Sequence, residues 1–128
     1  IVTDVLDYGE IVKKPGLTLL NSPGNDGVSS TAMTVSGATL LLFTTGRGTP
    51  LGFPVPTIKI SSNNALFNKK QGWIDFNAGL LASGERKFDE LAEELFDFIL
   101  KVASGEIKTK NELNGNREMA IRKTEVTL

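Results

Sequence analysis

Histidine and cysteine are both absent from this sequence of 128 residues. The chain alone therefore cannot supply a Ser-His-Asp or Cys-His nucleophile, an imidazole base, or a thiolate or imidazole metal ligand. Zinc catalysis housed wholly in this chain is not expected, and any metal would be bound through oxygen atoms. The lack of cysteine also excludes disulfides and fits a reducing compartment.

Two further features are missing: a large excess of one charge and a long hydrophobic run. The 14 basic and 15 acidic residues give a net charge of −1, so no global field would recruit nucleic acid or an acidic membrane. No apolar run approaches the roughly 20 residues of a membrane-spanning helix, and the start does not resemble a signal peptide. We therefore predict neither a nucleic-acid nor a membrane partner.

What is present is the composition of an ordinary globular domain, with 40% hydrophobic residues. We predict a single α/β domain with a short, mainly parallel sheet and helices on its faces, a Rossmann-like three-layer arrangement. Apolar runs bounded by turn-forming residues predict strands at residues 17–20, 39–44, 57–61 and 73–76. Helical spacing predicts helices at 28–36 and 85–103, the second with Ser83 as its N-cap.

The predicted domain organisation has three parts. The α/β core covers residues 17–105. Residues 1–16 carry no helical period and follow no starting methionine, so we interpret them as a connector from a missing upstream region. Residues 106–128 are polar and loosely patterned, and we predict a C-terminal extended tail.

Polar loops follow three of the predicted strands, at residues 22–27, 44–49 and 61–64. If the strands are parallel, all three loops lie at the same edge of the sheet, where ligands bind in open α/β folds. In the middle loop, Arg47 can bind a carboxylate or phosphate through two parallel hydrogen bonds. Gly46 and Gly48 let the backbone approach a ligand closely. The sequence therefore predicts an anion site, with purely structural turns as the alternative.

Other polar residues near these strands are open to two interpretations. Lys59 lies within an apolar strand, so its ammonium must reach solvent, form an ion pair or enter a pocket. Asp26 and Asp75 are either cap and turn residues or carboxylate ligands or bases. Asn63 and Asn64 are either turn formers or groups that bind substrate hydroxyls.

Four segments of the chain resemble the C-terminal region of the altronate and galactarate dehydratase family. They are Asn21-Ser22-Pro23-Gly24-Asn25-Asp26, Phe43-Thr44-Thr45-Gly46-Arg47-Gly48-Thr49-Pro50-Leu51-Gly52, Pro54-Val55-Pro56-Thr57-Ile58-Lys59-Ile60-Ser61-Ser62-Asn63 and Trp73-Ile74-Asp75-Phe76-Asn77-Ala78-Gly79. The resemblance implies a cytoplasmic lyase of hexuronate catabolism that converts D-altronate to 2-dehydro-3-deoxy-D-gluconate and water. It also implies a divalent metal, ferrous iron or manganese, with ligands mostly outside this piece, and as partners a sugar acid and the remaining domains of the polypeptide. Whether the protein is an oligomer is left open.

The resemblance and the residue chemistry together give a set of candidate site residues. The catalytic candidates are Arg47, Lys59 and Asp26, and the substrate-binding candidates are Thr44, Thr45, Gly46, Gly48, Asn63 and Asn64. No metal ligand is assigned. The isolated chain is expected to be folded but inactive, and the alternatives are a non-catalytic sugar-acid-binding or domain-docking module and a galactarate-type dehydratase.

Overall fold

The computed structural model describes residues 1–122, which contain short strands joined in parallel pairs and helices between them. In chain order the elements are β1 Val2–Leu6, β2 Leu17–Leu20, α1 Asp26–Val35, β3 Leu41–Thr45, β4 Thr57–Ser61, α2 Asn64–Lys69, β5 Phe76–Asn77, α3 Gly79–Ala82, α4 Phe88–Ala103 and α5 Lys110–Asn114. The prediction of a single α/β domain with short parallel strands and helices is confirmed, although the described strands form two sheets rather than one.

The strands of residues 1–122 form two separate sheets. One consists of β1 and β2, and the other has the order β3-β4-β5 with β4 in the centre. Leu41 pairs with Thr57 and Thr45 with Ser61, so β3 and β4 end at the same level. The expectation that 17–20 and 39–44 lie in one sheet is therefore wrong, because β2 pairs with β1 instead.

Both ends of the described chain are more structured than the sequence predicted. Residues 1–16 were expected to be a connector, but they contain β1, whose residues pair with β2 from Val2 to Leu6. The predicted extended tail, 106–128, contains α5, and its residues Thr109 and Asn111 are fully buried. Residues 123–128 lie outside the described part of the chain.

The hydrophobic core lies between the central strand and the longest helix. Ile58 and Ile60 of β4 and Phe76 of β5 pack with Leu91 and Val102 of α4. All five residues of β4 are buried. Because α4 presents one apolar stripe to the sheet, burial of that stripe stabilises both elements.

The long helix begins later than predicted. It starts at Phe88, and Lys87 takes the N-cap position without a side-chain hydrogen bond. Ser83, the predicted cap, ends α3 and donates to the carboxylate of Glu85 instead. Across residues 1–122, no helix combines the length and the apolar composition needed to cross a bilayer.

Candidate anion-binding site

The loop after β3 is a tight turn held by its own side chains. The backbone N–H of Gly48 donates to Oγ1 of Thr45 at 2.9 Å. Gly48 has φ of +81°, and a Cβ there would lie 2.7 Å from Cδ1 of the buried Leu66. Both facts require glycine at position 48, because a side chain would be strained in this conformation and would collide with α2.

Arg47, at the tip of this loop, is exposed and available for binding. Within residues 1–122 no carboxylate lies within ion-pairing distance of its guanidinium, and it makes no side-chain hydrogen bond. Thr44 and Gly46 are also exposed on the same loop, and Thr45 is half-buried. A free guanidinium beside exposed hydroxyl and backbone groups is a suitable site for a carboxylate.

The loop after β4 lies directly against the Arg47 loop. The Asn63 side chain donates from Nδ2 to the carbonyl of Gly46 at 3.1 Å, and the N–H of Ser62 donates to the carbonyl of Thr45 at 3.0 Å. Oδ1 of Asn63 accepts from Leu66 N at 2.8 Å and so caps α2. Two of the three predicted loops are therefore together, and Asn63 joins them rather than presenting a free amide.

Asn64 is also engaged within the protein. Its Nδ2 donates to Ser83 Oγ at 3.1 Å and to Glu85 Oε1 at 2.8 Å. Its Oδ1 accepts from Nδ2 of Asn77 at 2.9 Å. This network connects the start of α2 to the segment before α4, so Asn64 has a structural role in this arrangement.

Asp26 follows a strand of the other sheet. It is an exposed residue in the first turn of α1, and this helix follows β2 of the other sheet. Asn25 caps α1 by accepting from Val28 N at 3.1 Å. Hydrogen bonds within residues 1–122 therefore join two of the three predicted loops, and the strand before Asp26 belongs to the two-stranded sheet.

Lys59 supports the Arg47 loop from inside the protein. It is 1% exposed, and its Nζ donates to the carbonyl of Thr49 at 3.1 Å. Burial lowers the pKa of Lys59, because the charged form loses hydration, while the carboxylates of Asp75 and Glu118 act in the opposite direction. The ammonium therefore does not reach solvent, and it lies buried beneath the loop.

Asp75 connects the same region to the C-terminal segment. Its Oδ2 accepts from the backbone N–H of Lys59 at 2.8 Å, and its Oδ1 accepts from that of Lys110 at 2.7 Å. Burial raises the pKa of Asp75, and the two N–H donors and the charges of the same two lysines partly offset that effect. The Asp75 carboxylate thus links the backbone of β4 to the start of α5.

Sequence reasoning missed Asn111, which joins three parts of the chain. It is 1% exposed; its Oδ1 accepts from Thr57 N at 3.0 Å and from the Thr109 hydroxyl at 2.5 Å. Its Nδ2 donates to the carbonyls of Phe53 and Asn116 at 3.4 and 3.3 Å. A signal for this helix existed in the sequence, because Thr109 and Glu112 have the spacing of a capping box.

The C-terminal segment also holds the far end of the Arg47 loop. Asn116 Nδ2 donates to the carbonyl of Pro50 at 2.5 Å, and Gly52 N donates to Glu118 Oε2 at 2.9 Å. The backbone N–H of Glu118 in turn donates to the carbonyl of Gly52 at 2.9 Å. The loop is therefore tethered along its length before any ligand binds.

The described residues contain no cluster of acidic side chains for a metal ion. Among residues 1–122, no three acidic side chains come together as a metal-binding group. These residues alone therefore do not supply a set of carboxylate ligands for a divalent cation. That the ligands lie mostly in another part of the protein stays a prediction.

Comparison with known proteins gives a consistent family. The model of the D-galactarate/altronate dehydratase C-terminal domain matches residues 1–127. Altronate dehydratase from Bacillus subtilis is 49% identical over 99% of this chain. Altronate dehydratase from Escherichia coli K12 is 51% identical over 100% of this chain. Galactarate dehydratase (L-threo-forming) of E. coli is 43% identical over 84% of the chain. The chain spans 25%, 26% and 21% of these relatives, about a quarter of their length or less.

Proposed function

Since the chain belongs to the D-galactarate/altronate dehydratase family, as a C-terminal domain, we propose that it acts in a longer polypeptide that dehydrates altronate. Identity and coverage are both higher with the altronate dehydratases than with the galactarate dehydratase, which favours altronate. In this reaction a base removes the proton on the carbon next to the carboxylate. The hydroxyl on the following carbon leaves as water, and the resulting enol becomes the ketone of 2-dehydro-3-deoxygluconate.

We assign Arg47 the role of binding the substrate carboxylate. The observation that carries this assignment is an exposed guanidinium without an acidic partner in residues 1–122, on a loop tethered at several points. As the proton leaves, negative charge grows on the carboxylate, and a fixed cation stabilises that charge more in the transition state than in the substrate. Thr44 and Gly46, exposed beside Arg47, offer hydrogen bonds to the sugar hydroxyls.

Lys59 is proposed to act through the loop rather than as the base. Its Nζ is buried and donates to the carbonyl of Thr49, two residues after Arg47. From this position it fixes the backbone that carries the guanidinium. Asp26 is assigned no step, because within residues 1–122 no hydrogen bond or ion pair joins its exposed carboxylate to the Arg47 loop. The base is proposed to come from the rest of the polypeptide.

The test is substitution of Arg47 in the full-length enzyme. Arg47→Ala should lower kcat/KM for altronate by about 10- to 1000-fold, the range for removing one donor to a developing negative charge. Arg47→Lys should recover part of the loss, because the charge remains but the two-pronged geometry does not. Arg117→Ala is the matched control, an exposed arginine without an ion pair in residues 1–122.

Equal kcat/KM for Arg47→Ala and Arg117→Ala would refute the assignment and favour the domain-docking role. Comparing kcat/KM on altronate and galactarate separates the two dehydratase activities, and a preference for galactarate would contradict the altronate proposal. The 128-residue chain alone is expected to show no turnover, since we assign no base for the reaction among residues 1–122. Measurable dehydration by the purified chain would contradict that expectation.

A further inference from the structure

A cavity of about 600 Å³ lies between the two sheets. Its walls are β2, the start of β3 and α1, including Thr18, Leu20, Met33, Ser36 and Leu42. The lining is mostly apolar. None of the residues of the proposed anion site lines this cavity. A volume of this size lies within the range of roughly 300–1,000 Å³ that binding sites occupy.

The two strands that flank the cavity each have one edge without a strand partner within residues 1–122. The backbone N–H of Asn21 donates to the carbonyl of Leu6, so Asn21 directs its backbone groups towards β1. Because successive residues of a strand alternate in direction, the N–H and C=O groups of Thr18 and Leu20 point away from β1. By the same alternation, Leu41 N donates to Pro56 O, and the backbone groups of Leu42 and Thr44 point away from β4. Both edges therefore offer rows of free donors and acceptors.

Side-chain groups in the cavity also lack partners. Three buried hydroxyl oxygens make no hydrogen bond within the described chain, those of Thr18, Ser22 and Ser36, and all three residues line the cavity. Ser36 is only 4% exposed. Large apolar side chains are exposed on the flanking strands, with Leu19 at 49% and Leu42 at 50%. Buried polar groups without partners are costly, so this combination indicates a site that is filled in the complete protein.

We propose that this cavity receives a β-strand from the upstream part of the same polypeptide, which joins the two sheets into one continuous parallel sheet. The relatives are about four times as long as this chain, and the matching family model is that of a C-terminal domain, so such a segment exists in them. A single helix connects β2 and β3, as is usual between parallel strands. An inserted strand can use both free edges, and its side chains can satisfy the hydroxyls.

The position of this strand has a consequence for the proposed reaction. Thr44, one of the residues with free outward backbone groups, is three residues before Arg47. A strand paired parallel to β3 would end beside the Arg47 loop, because the carboxyl ends of parallel strands meet at the same edge. The upstream polypeptide would thereby deliver its own residues to the anion site. The inference rests on the chain being part of a longer dehydratase, but not on the role of Arg47.

The experiment places the photoreactive amino acid benzoylphenylalanine at position 42 in the full-length polypeptide, with position 96 as the control. Phe96 on α4 is likewise apolar and 59% exposed, but it does not line the cavity. Mass spectrometry should find intramolecular cross-links from position 42 to one segment upstream of this chain, and none to that segment from position 96. Cross-links to residues 123–128, to a second copy, to the same segment from both positions, or to nothing would overturn the proposal.

Amide hydrogen exchange on the unmodified full-length protein is a second test of the inserted strand, and it requires no substitution. The amides of Thr18, Leu20, Leu42 and Thr44 have no acceptor within residues 1–122 on the strand edges described above. In the proposed arrangement they should exchange at least 100-fold more slowly than unstructured amides. Exchange at the rate of unstructured amides would overturn the proposal. Neither measurement requires activity, so failure here is distinguishable from failure of the altronate proposal.

Discussion

The Asn111→Ala substitution would remove the buried amide that holds α5 against the start of β4. Thr57 is 0% exposed, so without Asn111 Oδ1 its N–H has no acceptor and no access to water. A buried donor left without an acceptor costs about 1–3 kcal/mol. The two longer bonds from Nδ2, to Phe53 and Asn116, contribute about 0.5 kcal/mol each, the low end of the net range. We expect the free energy of unfolding to fall by about 2–4 kcal/mol.

Urea unfolding of the 128-residue chain measures this loss, followed by far-UV circular dichroism and by fluorescence of Trp73, the single tryptophan. Asn114→Ala is the matched control on the same helix, because Asn114 is exposed and donates one hydrogen bond, to Gly72 O at 2.9 Å. It should lose at most about 1 kcal/mol. If the two variants differ by less than about 0.5 kcal/mol, the spread of ordinary surface substitutions, the argument from buried hydrogen bonds is refuted.

Two further predictions concern the loop that carries Arg47. Gly48→Ala should destabilise the chain by about 1–3 kcal/mol, because φ is +81° and the new Cβ would meet Leu66. Gly105→Ala is the control, because Gly105 has a similar φ of +77° but a Cβ there would contact nothing. Equal losses of thermal stability in the two variants would show that the clash with Leu66 does not contribute. Since burial lowers the folded-state pKa of Lys59, the unfolded chain binds more protons between that lowered pKa and the ordinary 10.5. Stability should therefore rise with pH through this window in urea titrations, and Lys59→Met should flatten the rise. Lys101→Met, at an exposed lysine, should leave the rise of stability with pH unchanged. If Lys59→Met shows the same rise as the unsubstituted chain, the pH dependence does not come from Lys59.

Local patterns were sufficient for the elements that make up most of the fold. The apolar stripe of α4 and the short apolar runs of β3 and β4 specify their own secondary structure, since α4 and β3 bury residues on one face and β4 is buried throughout. The apolar run of β2 also forms a strand, although its residues are half-buried or exposed. The loop with Arg47 was predictable for the same reason, because glycines and hydroxyls follow an apolar strand abruptly. The parallel register of β3 with β4 then brings that loop against Asn63.

Partner choice among strands was not predictable, because nothing in an isolated apolar run states which edge it pairs with. β2 pairs with β1, a segment whose mixed polar and apolar residues suggested a connector. The tethers at Asn111 and Glu118 come from a polar stretch that is distant in sequence from the residues it holds. Polar residues in such a stretch have the same composition as a surface tail, and only their tertiary partners distinguish the two.

In the proposed anion site, the tethered loop would lower the entropic cost of binding by a single exposed arginine. Ordering a flexible backbone costs about 1–2 kcal/mol per residue, and an arginine side chain has about 2 kcal/mol of rotamer entropy to lose. In this chain the backbone on both sides of Arg47 is already fixed, by Asn63 at Gly46 and by Lys59 at Thr49. Only the side chain remains to be ordered when an anion binds. In the proposed site, the buried Lys59 would contribute to preorganisation, because its hydrogen bond to the carbonyl of Thr49 is present before any anion binds.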